Sequence, residues 1–486
     1  MRGFLLATAG TLAIGIGLSG PAFAQATTGT TAPATPGTTT APAPATPPPA
    51  AAPAALPPNA TYGTGGLGQP PNQALYTGSM QPGSFAVHLN GRVNWYAGVA
   101  GSSVDNVGAN KLNNDEFQGY IRLYPGFDAV AANGLQYGVV GEIRNPGSNF
   151  TGVGANASGN SSQNTLYWNR AYGYVGTDNL GTLNFGETDA AFDLFQVGTF
   201  EGFNDGAWNG DVPGFIPGNA FAVYPFADVG NIQSADRITY LSPIWDGFQF
   251  GGGFSPTPNA LINSEGCSVA GPTCNRLAST DSTDPADLGR YRNMFDIAAT
   301  YNNSFGAIGI SAYAGGLWSG KVNNTATLPG GGSVPGTQFT GFAVGAFGLT
   351  LSYGGFTVGG HFNFGQENGD FNLKPQGGVP GLAFMLGGQY ATGPVIVGAS
   401  YFKYKFQGDF TAPTTEGVET DQGIAAGATY SIAPGLALYL SYLYGMRHQL
   451  GFDFNTGFAN SVEGTPIGTN NNVDSQIFAV GTVVKW

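Results

Sequence analysis

From about residue 84 to the C-terminus, the sequence repeats a single pattern. Apolar and polar side chains alternate along a run, a turn follows, and the next run begins. Alternation with a period of two is typical of β-strands, and about 9 to 11 residues let a tilted strand cross a bilayer. Sixteen such runs can be traced, at residues 85–97, 116–127, 135–144, 165–175, 182–187, 235–241, 248–254, 291–301, 307–317, 339–353, 356–364, 382–390, 395–406, 423–432, 436–447 and 473–486.

The connections between these runs alternate in length. Short turns at 178–180, 245–247, 391–394 and 433–435 alternate with long connections at 257–290, 318–336, 407–419 and 448–472. Outer-membrane barrels have this asymmetry, with short periplasmic turns and long extracellular loops. Closure of the sheet also pairs every backbone group, which lipid requires. The sequence therefore predicts an all-β protein, a 16-stranded antiparallel transmembrane β-barrel.

One connection, residues 188–231, is far longer than a hairpin turn and lies between two predicted strands. It is rich in Phe, Trp and Tyr and contains neither Lys nor Arg. Structureless segments of this length are usually functional or packed against something else. We expect this long third loop to fold into the lumen of the barrel and to narrow it. Its acidic residues are Asp189, Asp193, Glu201, Asp205, Asp211 and Asp228.

The N-terminal region has two parts that differ from the barrel. Residues 1–24 have a positive start at Arg2, an apolar core and an Ala-x-Ala site, and we interpret them as a cleaved signal peptide for export. The expected location of the exported barrel is the outer membrane. Residues 25–83 are rich in Ala, Pro, Thr and Gly, which predicts a disordered periplasmic tether, either a solvated spacer or a contact to peptidoglycan. The barrel domain should then occupy residues 84–486.

Charged residues make up only 9% of the chain, against about 25% in ordinary soluble proteins, so their positions are informative. The formal net charge of −13 argues against nucleic acid as a partner. Five arginines fall inside predicted strands, and an Arg that faces lipid near the midplane costs about 2 to 4 kcal/mol. They should therefore point inward, either as a basic cluster opposite the acidic loop or as ordinary salt bridges of the wall: Arg92, Arg122, Arg144, Arg170 and Arg237.

Short motifs around these arginines resemble the general porins of Gram-negative outer membranes. The segment LYWNRAYGYVGTDNLGTLNFGETDAAFD, the long loop and SADRITYLSPIWDGFQFGGGFS resemble the centre of that family, with Arg170 and Arg237 at its two arginine positions. GYIRLYPGFDA around Arg122 and LNGRVNWYAG around Arg92 resemble earlier strands. The resemblance implies sixteen strands, a homotrimer and passive diffusion of small hydrophilic solutes. It also implies acidic loop residues that face the arginines, and Glu201, Asp205 and Asp211 are our candidates by position.

We therefore predict an outer-membrane porin that prefers cations weakly, because its loop is acidic. Two alternatives remain: a sugar- or ion-selective channel on the same barrel, in which Phe200, Phe203, Trp208 and Phe215 form a stacking track, or a structural or adhesive barrel that conducts nothing.

We expect the porin to be embedded among outer-membrane lipid and lipopolysaccharide. The last strand ends on Trp486, which resembles the recognition end that the barrel-assembly machinery reads.

Other chemistry has little support in the sequence. Cys267 and Cys274 lie close together in an exported chain, so a local disulfide is the expected state. The three histidines lack metal-ligand spacing, and there is no convincing pair of nucleophile and base. We expect no metal, no cofactor and no enzymatic activity.

Overall fold

The computed structural model describes residues 80–107, 110–145, 166–226, 232, 234–258, 291–328, 332–409, 417–455, 458–459 and 470–486. The predicted signal peptide, residues 25–79 of the predicted tether and both cysteines, Cys267 and Cys274, lie outside these residues. Within the described ranges, no helix has the length and apolar character needed to cross a membrane.

Sixteen strands form one closed antiparallel barrel, in which each strand pairs with its neighbours in the sequence and the last pairs with the first. This arrangement confirms the predicted fold. The strands are β1 (Ser84–Ser102), β2 (Asp115–Val130), β3 (Gln136–Arg144), β4 (Tyr167–Thr177), β5 (Gly181–Thr188), β6 (Ala235–Leu241), β7 (Phe248–Ser255), β8 (Met294–Phe305), β9 (Ile308–Trp318), β10 (Ala343–Tyr353), β11 (Phe356–Gln366), β12 (Gly381–Thr392), β13 (Val395–Phe406), β14 (Glu419–Ala433), β15 (Leu436–Gln449) and β16 (Asn472–Lys485).

All sixteen predicted runs coincide with these strands, and the differences lie at their ends. The predicted run that starts furthest ahead of its strand is the one for β10: the run begins at residue 339, whereas the strand begins at Ala343. Phe339 instead pairs with Val322 in a separate hairpin, Val322–Leu328 with Gly332–Phe339. At the N-terminal end of β1, the Gly83 N–H donates to Val130 O at 2.7 Å.

The connections alternate between short and long along the chain, as predicted. Two-residue turns join β8 to β9, β10 to β11, β12 to β13 and β14 to β15. The long connections contain small elements: the hairpins Asn106–Val107 with Asn110–Lys111 and Phe452–Asp453 with Phe458–Ala459, helix α1 (Ala191–Leu194), and 3-10 helices at Ala207–Asn209, Val212–Phe215, Gly218–Ala220 and Gly369–Phe371.

The two faces of each strand differ in exposure, as β16 illustrates. Phe478, Val480 and Val484 are nearly half exposed, which suits a surface in contact with lipid. Side chains at the alternate positions are buried, and three of these are apolar: Ile477, Ala479 and Val483. The inner face is thus less polar than the alternation predicts, because these side chains belong to a buried cluster that includes Phe215 of the long third loop.

Candidate functional site

The long third loop, described over residues 189–226, is packed rather than exposed. Its largest aromatic side chains, including Phe192, Phe203, Trp208 and Phe226, have exposed fractions of 2% or less. Side-chain hydrogen bonds join it to strands distributed around the barrel. They include Tyr313 Oη of β9 to Phe192 O (2.7 Å), His361 Nδ1 of β11 to Val197 O (2.8 Å), Thr429 Oγ1 of β14 to Phe203 O (3.1 Å) and Trp208 Nε1 to Ile424 O of β14 (3.1 Å).

Glycines on five of the barrel strands leave space for this loop. A Cβ atom built at Gly348 would lie 2.0 Å from Val197 O, and one at Gly398 would lie 2.7 Å from the Phe203 ring. Because any larger side chain would collide with the loop, we call these glycines the seat of the loop. Its members lie on β10, β12, β13, β14 and β15 and are Gly348, Gly387, Gly398, Gly423 and Gly445.

A second anchor, which the sequence analysis missed, is Arg447 on β15. Its Nη1 donates to Gly218 O and Asn219 O of the loop at 3.2 and 3.1 Å. Glu419 and Asp421 of β14 hold the guanidinium at 2.6 and 3.3 Å. The alternation of β15 places Arg447 on the same face as the buried Leu443, and this was the signal in the sequence that could have identified it.

Four basic residues form a row across adjacent strands. Lys485 of β16 is the register partner of Arg92, Arg92 is the partner of Arg122 on β2, and Arg122 is the partner of Arg144 on β3. Three of the five predicted arginines are therefore brought side by side, and Lys485 joins them unforeseen. Like charges directly opposite each other in a sheet are destabilising, so this row requires nearby carboxylates. We call it the basic row.

Carboxylates contact two members of the basic row directly. Arg122 Nη2 donates to Asp211 Oδ1 of the loop at 3.0 Å, and Arg144 Nε donates to Glu142 Oε1 at 2.6 Å. Arg92 is almost fully buried, and its guanidinium lies 5.2 Å from the centre of the Tyr120 ring. The predicted contact between a wall arginine and the acidic loop thus has a concrete geometry at Arg122.

The other two predicted arginines lie outside the row. Arg170 Nε donates to Asp189 Oδ2 at 2.7 Å at the start of the loop, and Nη1 contacts Glu142. Arg237 Nη1 lies 3.5 Å from Asp296 of β8, and both of these side chains are fully buried. Arg237 thus forms a salt bridge within the wall, one of the two interpretations that the sequence left open, whereas Arg170 contacts carboxylates of both the wall and the loop.

The remaining acidic candidates differ from each other in environment. Glu201 accepts hydrogen bonds from Tyr224 Oη (2.9 Å) and Asn209 Nδ2 (3.3 Å), both within the loop. Asp205 Oδ2 accepts a hydrogen bond from Asn94 Nδ2 of β1 at 2.9 Å. Among the described residues, its Oδ1 has no hydrogen-bond partner.

Burial raises the pKa of Asp205 to about 7, against the opposing influence of Arg92. At Asp211 burial also acts to raise the pKa, but Arg122 and Arg92 outweigh it and the pKa is lowered. Asp211 is therefore ionised at neutral pH, whereas Asp205 changes charge close to neutral pH.

A cavity of about 280 Å³ lies between the basic row and the loop. Two arginines of the row and one loop carboxylate reach it. Its lining residues are Gln118, Tyr120, Arg122, Arg144, Asn145, Tyr167, Gly210, Asp211, Pro213, Gly214 and Phe221.

A closed barrel with an apolar outer face and charged side chains around an inner cavity defines an outer-membrane channel protein. The sequence matches the family model described as Gram-negative porin over residues 15–448, and the chain belongs to that family. The resemblance found in the sequence is thereby confirmed. A search of curated proteins gave no match.

Solved structures similar to this chain are also porins and outer-membrane proteins. The anion-selective porin from Comamonas acidovorans is 15% identical, with 83% of this chain and 100% of that chain covered and a TM-score of 0.48. The trimer form of OmpT, an outer membrane protein of Vibrio cholerae, is 13% identical, with 83% and 100% covered and a TM-score of 0.46. A mutant of the Rh. blastica porin is 14% identical, with 82% and 100% covered and a TM-score of 0.46.

Proposed function

We propose that this outer-membrane porin is a passive diffusion channel for small hydrophilic solutes and ions, and that residues 189–226 lie across its lumen and narrow it. The observation that carries the proposal is the set of hydrogen bonds from this loop to β9, β11 and β14. The strand residues in these bonds alternate with exposed apolar residues, so they lie on the inner face of the barrel. A loop bound to the inner face on several strands has to occupy part of the lumen.

Diffusion through such a channel needs no reaction. The Arg122–Asp211 pair joins the wall to the loop across the cavity, and its opposed charges create a transverse field. Such a field orients water and dipolar solutes and hinders apolar solutes that cannot replace the hydrogen bonds they lose. Charge and width at this point then set selectivity. The family and fold indicate a channel, and we propose that the protein has no enzymatic activity.

The two alternatives differ in how much support they retain. Phe200, Phe203, Trp208 and Phe215 would have to face the passage to form a sugar track, but their exposed fractions are 5% or less. They pack into the wall instead, which favours a general channel over a sugar-selective one. A barrel that conducts nothing is separated from both by the experiment below.

The sign of the ion preference needs a separate argument. The weak cation preference predicted from the sequence relies on the acidity of the loop. Asp189, Asp193, Glu201 and Asp205 are buried, with exposed fractions of 5% or less. Among the loop carboxylates in the described residues, only Asp211 lines the cavity. The carboxylates on which that prediction relied are therefore largely withdrawn from the passage.

The assembly and surroundings are proposed on the resemblance to general porins. They comprise a homotrimer, contacts with outer-membrane lipid and lipopolysaccharide, and recognition of the strand that ends at Trp486 by the barrel-assembly machinery. A peptidoglycan contact of the N-terminal tether is proposed from the composition of that segment alone.

Liposome swelling with a graded series of sugars tests the function. We expect rates that fall smoothly with sugar size. Saturation by one sugar would instead indicate a selective channel, and absence of swelling would indicate a structural barrel. Deletion of residues 201–214 removes Asp211 and part of the loop while leaving every barrel strand, so larger sugars should enter and conductance should rise. Unchanged size dependence in the deletion variant would contradict the position proposed for the loop.

A further inference from the structure

The two arginines that line the cavity have N–H donors that their contacts within the described residues do not use. Arg144 bonds Glu142 through Nε, and within the described ranges its two terminal amino groups have no hydrogen-bond partner. Arg122 uses a single nitrogen, Nη2, for both oxygens of Asp211, at 3.0 and 3.2 Å. Guanidinium groups bind oxyanions through paired N–H donors, so these two side chains offer the donors that an oxyanion requires.

The charges around the cavity are not balanced. Among the described residues, the carboxylates identified beside the four cations of the basic row are three: Glu142, Asp205 and Asp211. Glu142 is also shared with Arg170, which lies outside the row. Asp205 is fully ionised only well above neutral pH, because burial raises its pKa to about 7. The region around the cavity therefore carries a net positive charge at neutral pH, although the chain as a whole is acidic.

We propose that Arg122 and Arg144 form a binding site for a small oxyanion, a carboxylate or a phosphate, at the narrow part of the channel. The inference rests on the proposed function and deepens it by naming the class of solute that the passage favours. The side chains of Tyr120 and Tyr167 line the same cavity and provide phenol groups beside the bound anion. A volume of about 280 Å³ accommodates a small organic acid or inorganic phosphate.

The site predicts two properties of the open channel. Chloride should carry more current than potassium, because the accessible charge at the narrow part is positive. Oxyanions should also dwell in the site and reduce the chloride current in a saturable manner, since a solute that binds must leave before the next one passes. A merely structural role for the arginines would produce no saturable block.

The test uses the purified full-length protein in planar lipid bilayers. Reversal potentials in a KCl gradient measure the ion preference, and titrations with inorganic phosphate and with acetate at constant ionic strength and neutral pH measure the block. We expect chloride preference and saturable block by at least one of the two anions, and comparison of the two identifies the favoured head group. Arg144→Gln should weaken the block about tenfold, the value of one lost charge-assisted hydrogen bond.

Two variants control for charge and for folding. Lys111→Gln removes one positive charge at an exposed side chain outside the cavity, so it should leave block and ion preference unchanged. Arg144→Lys retains the charge without the planar fork, so ion preference should persist while block weakens.

Cation preference in the unaltered protein, or block of equal strength in Arg144→Gln, would overturn the anion site while the diffusion channel stands. Absence of any current would instead remove the proposed function itself.

Discussion

The basic row places one cation on each of four adjacent strands. Arg92, Arg122 and Arg144 lie on consecutive strands, and Lys485, from the other end of the barrel domain, joins them through the strand register. Their mutual repulsion is offset by carboxylates of both the wall and the loop. Asp205 differs from Asp211 in that burial outweighs the cations at Asp205 and raises its pKa to about 7, whereas at Asp211 the cations outweigh burial and lower the pKa.

We predict a pH-dependent ion preference that originates at Asp205. It faces Arg92, Asn94 and Lys485, with Asp211 as the neighbouring carboxylate. Since its pKa is raised to about 7, the carboxyl is neutral in acid and gains a negative charge as the pH rises through that value. The added charge cancels part of the basic row, so chloride preference should fall over this pH window. Reversal potentials measured at a series of pH values should show this step.

Asp205→Asn removes the titrating group and keeps the shape of the side chain. In this variant the chloride preference should stay at its acid value as the pH rises through about 7. The same pKa shift affects stability. Between the ordinary pKa of 3.8 and about 7, the unfolded chain has lost the Asp205 proton while the folded state still holds it. The free energy of unfolding therefore falls as the pH rises through this window. Persistence of the step in Asp205→Asn would assign it to another group.

At the level of elements, the long third loop and the strand glycines form one unit. The loop contributes aromatic side chains, and β10 and β12 to β15 each contribute a glycine where those side chains or the loop backbone pass. Hydrogen bonds from His361 and Arg447 then hold loop carbonyls to the wall. The chain has 80 glycines in 486 residues, and part of this content is explained by the need to fit a folded loop against the inner face.

A methyl group at the seat should displace the loop without opening the barrel. In Gly348→Ala the new Cβ would lie 2.0 Å from Val197 O, the carbonyl that His361 binds. Overpacking of this kind costs about 1–3 kcal/mol, and moving the loop relieves it more readily than moving paired strands does. We expect a higher single-channel conductance.

Gly101→Ala is the matched control, because a Cβ at that position on β1 has no described neighbour within 4 Å. It should conduct like the unaltered protein. A normal conductance in Gly348→Ala would mean that the loop does not limit the passage at this point.

At the level of the whole molecule, closure of the sheet is the condition for stability in lipid. β16 pairs with β15 on one side and with β1 on the other, from Arg92↔Lys485 to Ser102↔Ser475. Every described barrel strand therefore has two neighbours, and the sheet has no edge. An open edge in hydrocarbon would leave backbone groups unpaired, each at a cost of several kcal/mol.

Removal of residues 472–486 should prevent formation of the stable barrel, since it exposes the edges of β1 and β15 together. Refolding into detergent micelles, followed by electrophoresis with and without heating, measures this without the cellular assembly machinery. We expect no heat-modifiable band for the truncated chain, whereas Trp486→Phe should keep it. A compact, heat-modifiable truncated protein would show that fifteen strands can close by themselves.

The sequence was sufficient for the barrel and its sixteen strands, because a strand with one face in lipid must alternate locally and each turn must interrupt that alternation. It also predicted that Arg122 of the wall faces acidic residues of the loop, with Asp211 among the candidates, and the structure brings these two side chains into contact at 3.0 Å. Strand ends were less certain, as at β10, where a hairpin takes Phe339 from the predicted run.

Tertiary structure alone decided which charges meet. Register, which depends on pairing between distant segments, made Lys485 a neighbour of Arg92 and placed Arg170 with Asp189 and Arg237 with Asp296. The path of the loop decided which of its carboxylates are buried and which one lines the cavity. An alternating pattern specifies the face on which a side chain lies, but the partners across that face are set by the closed sheet and by the loop packed against it.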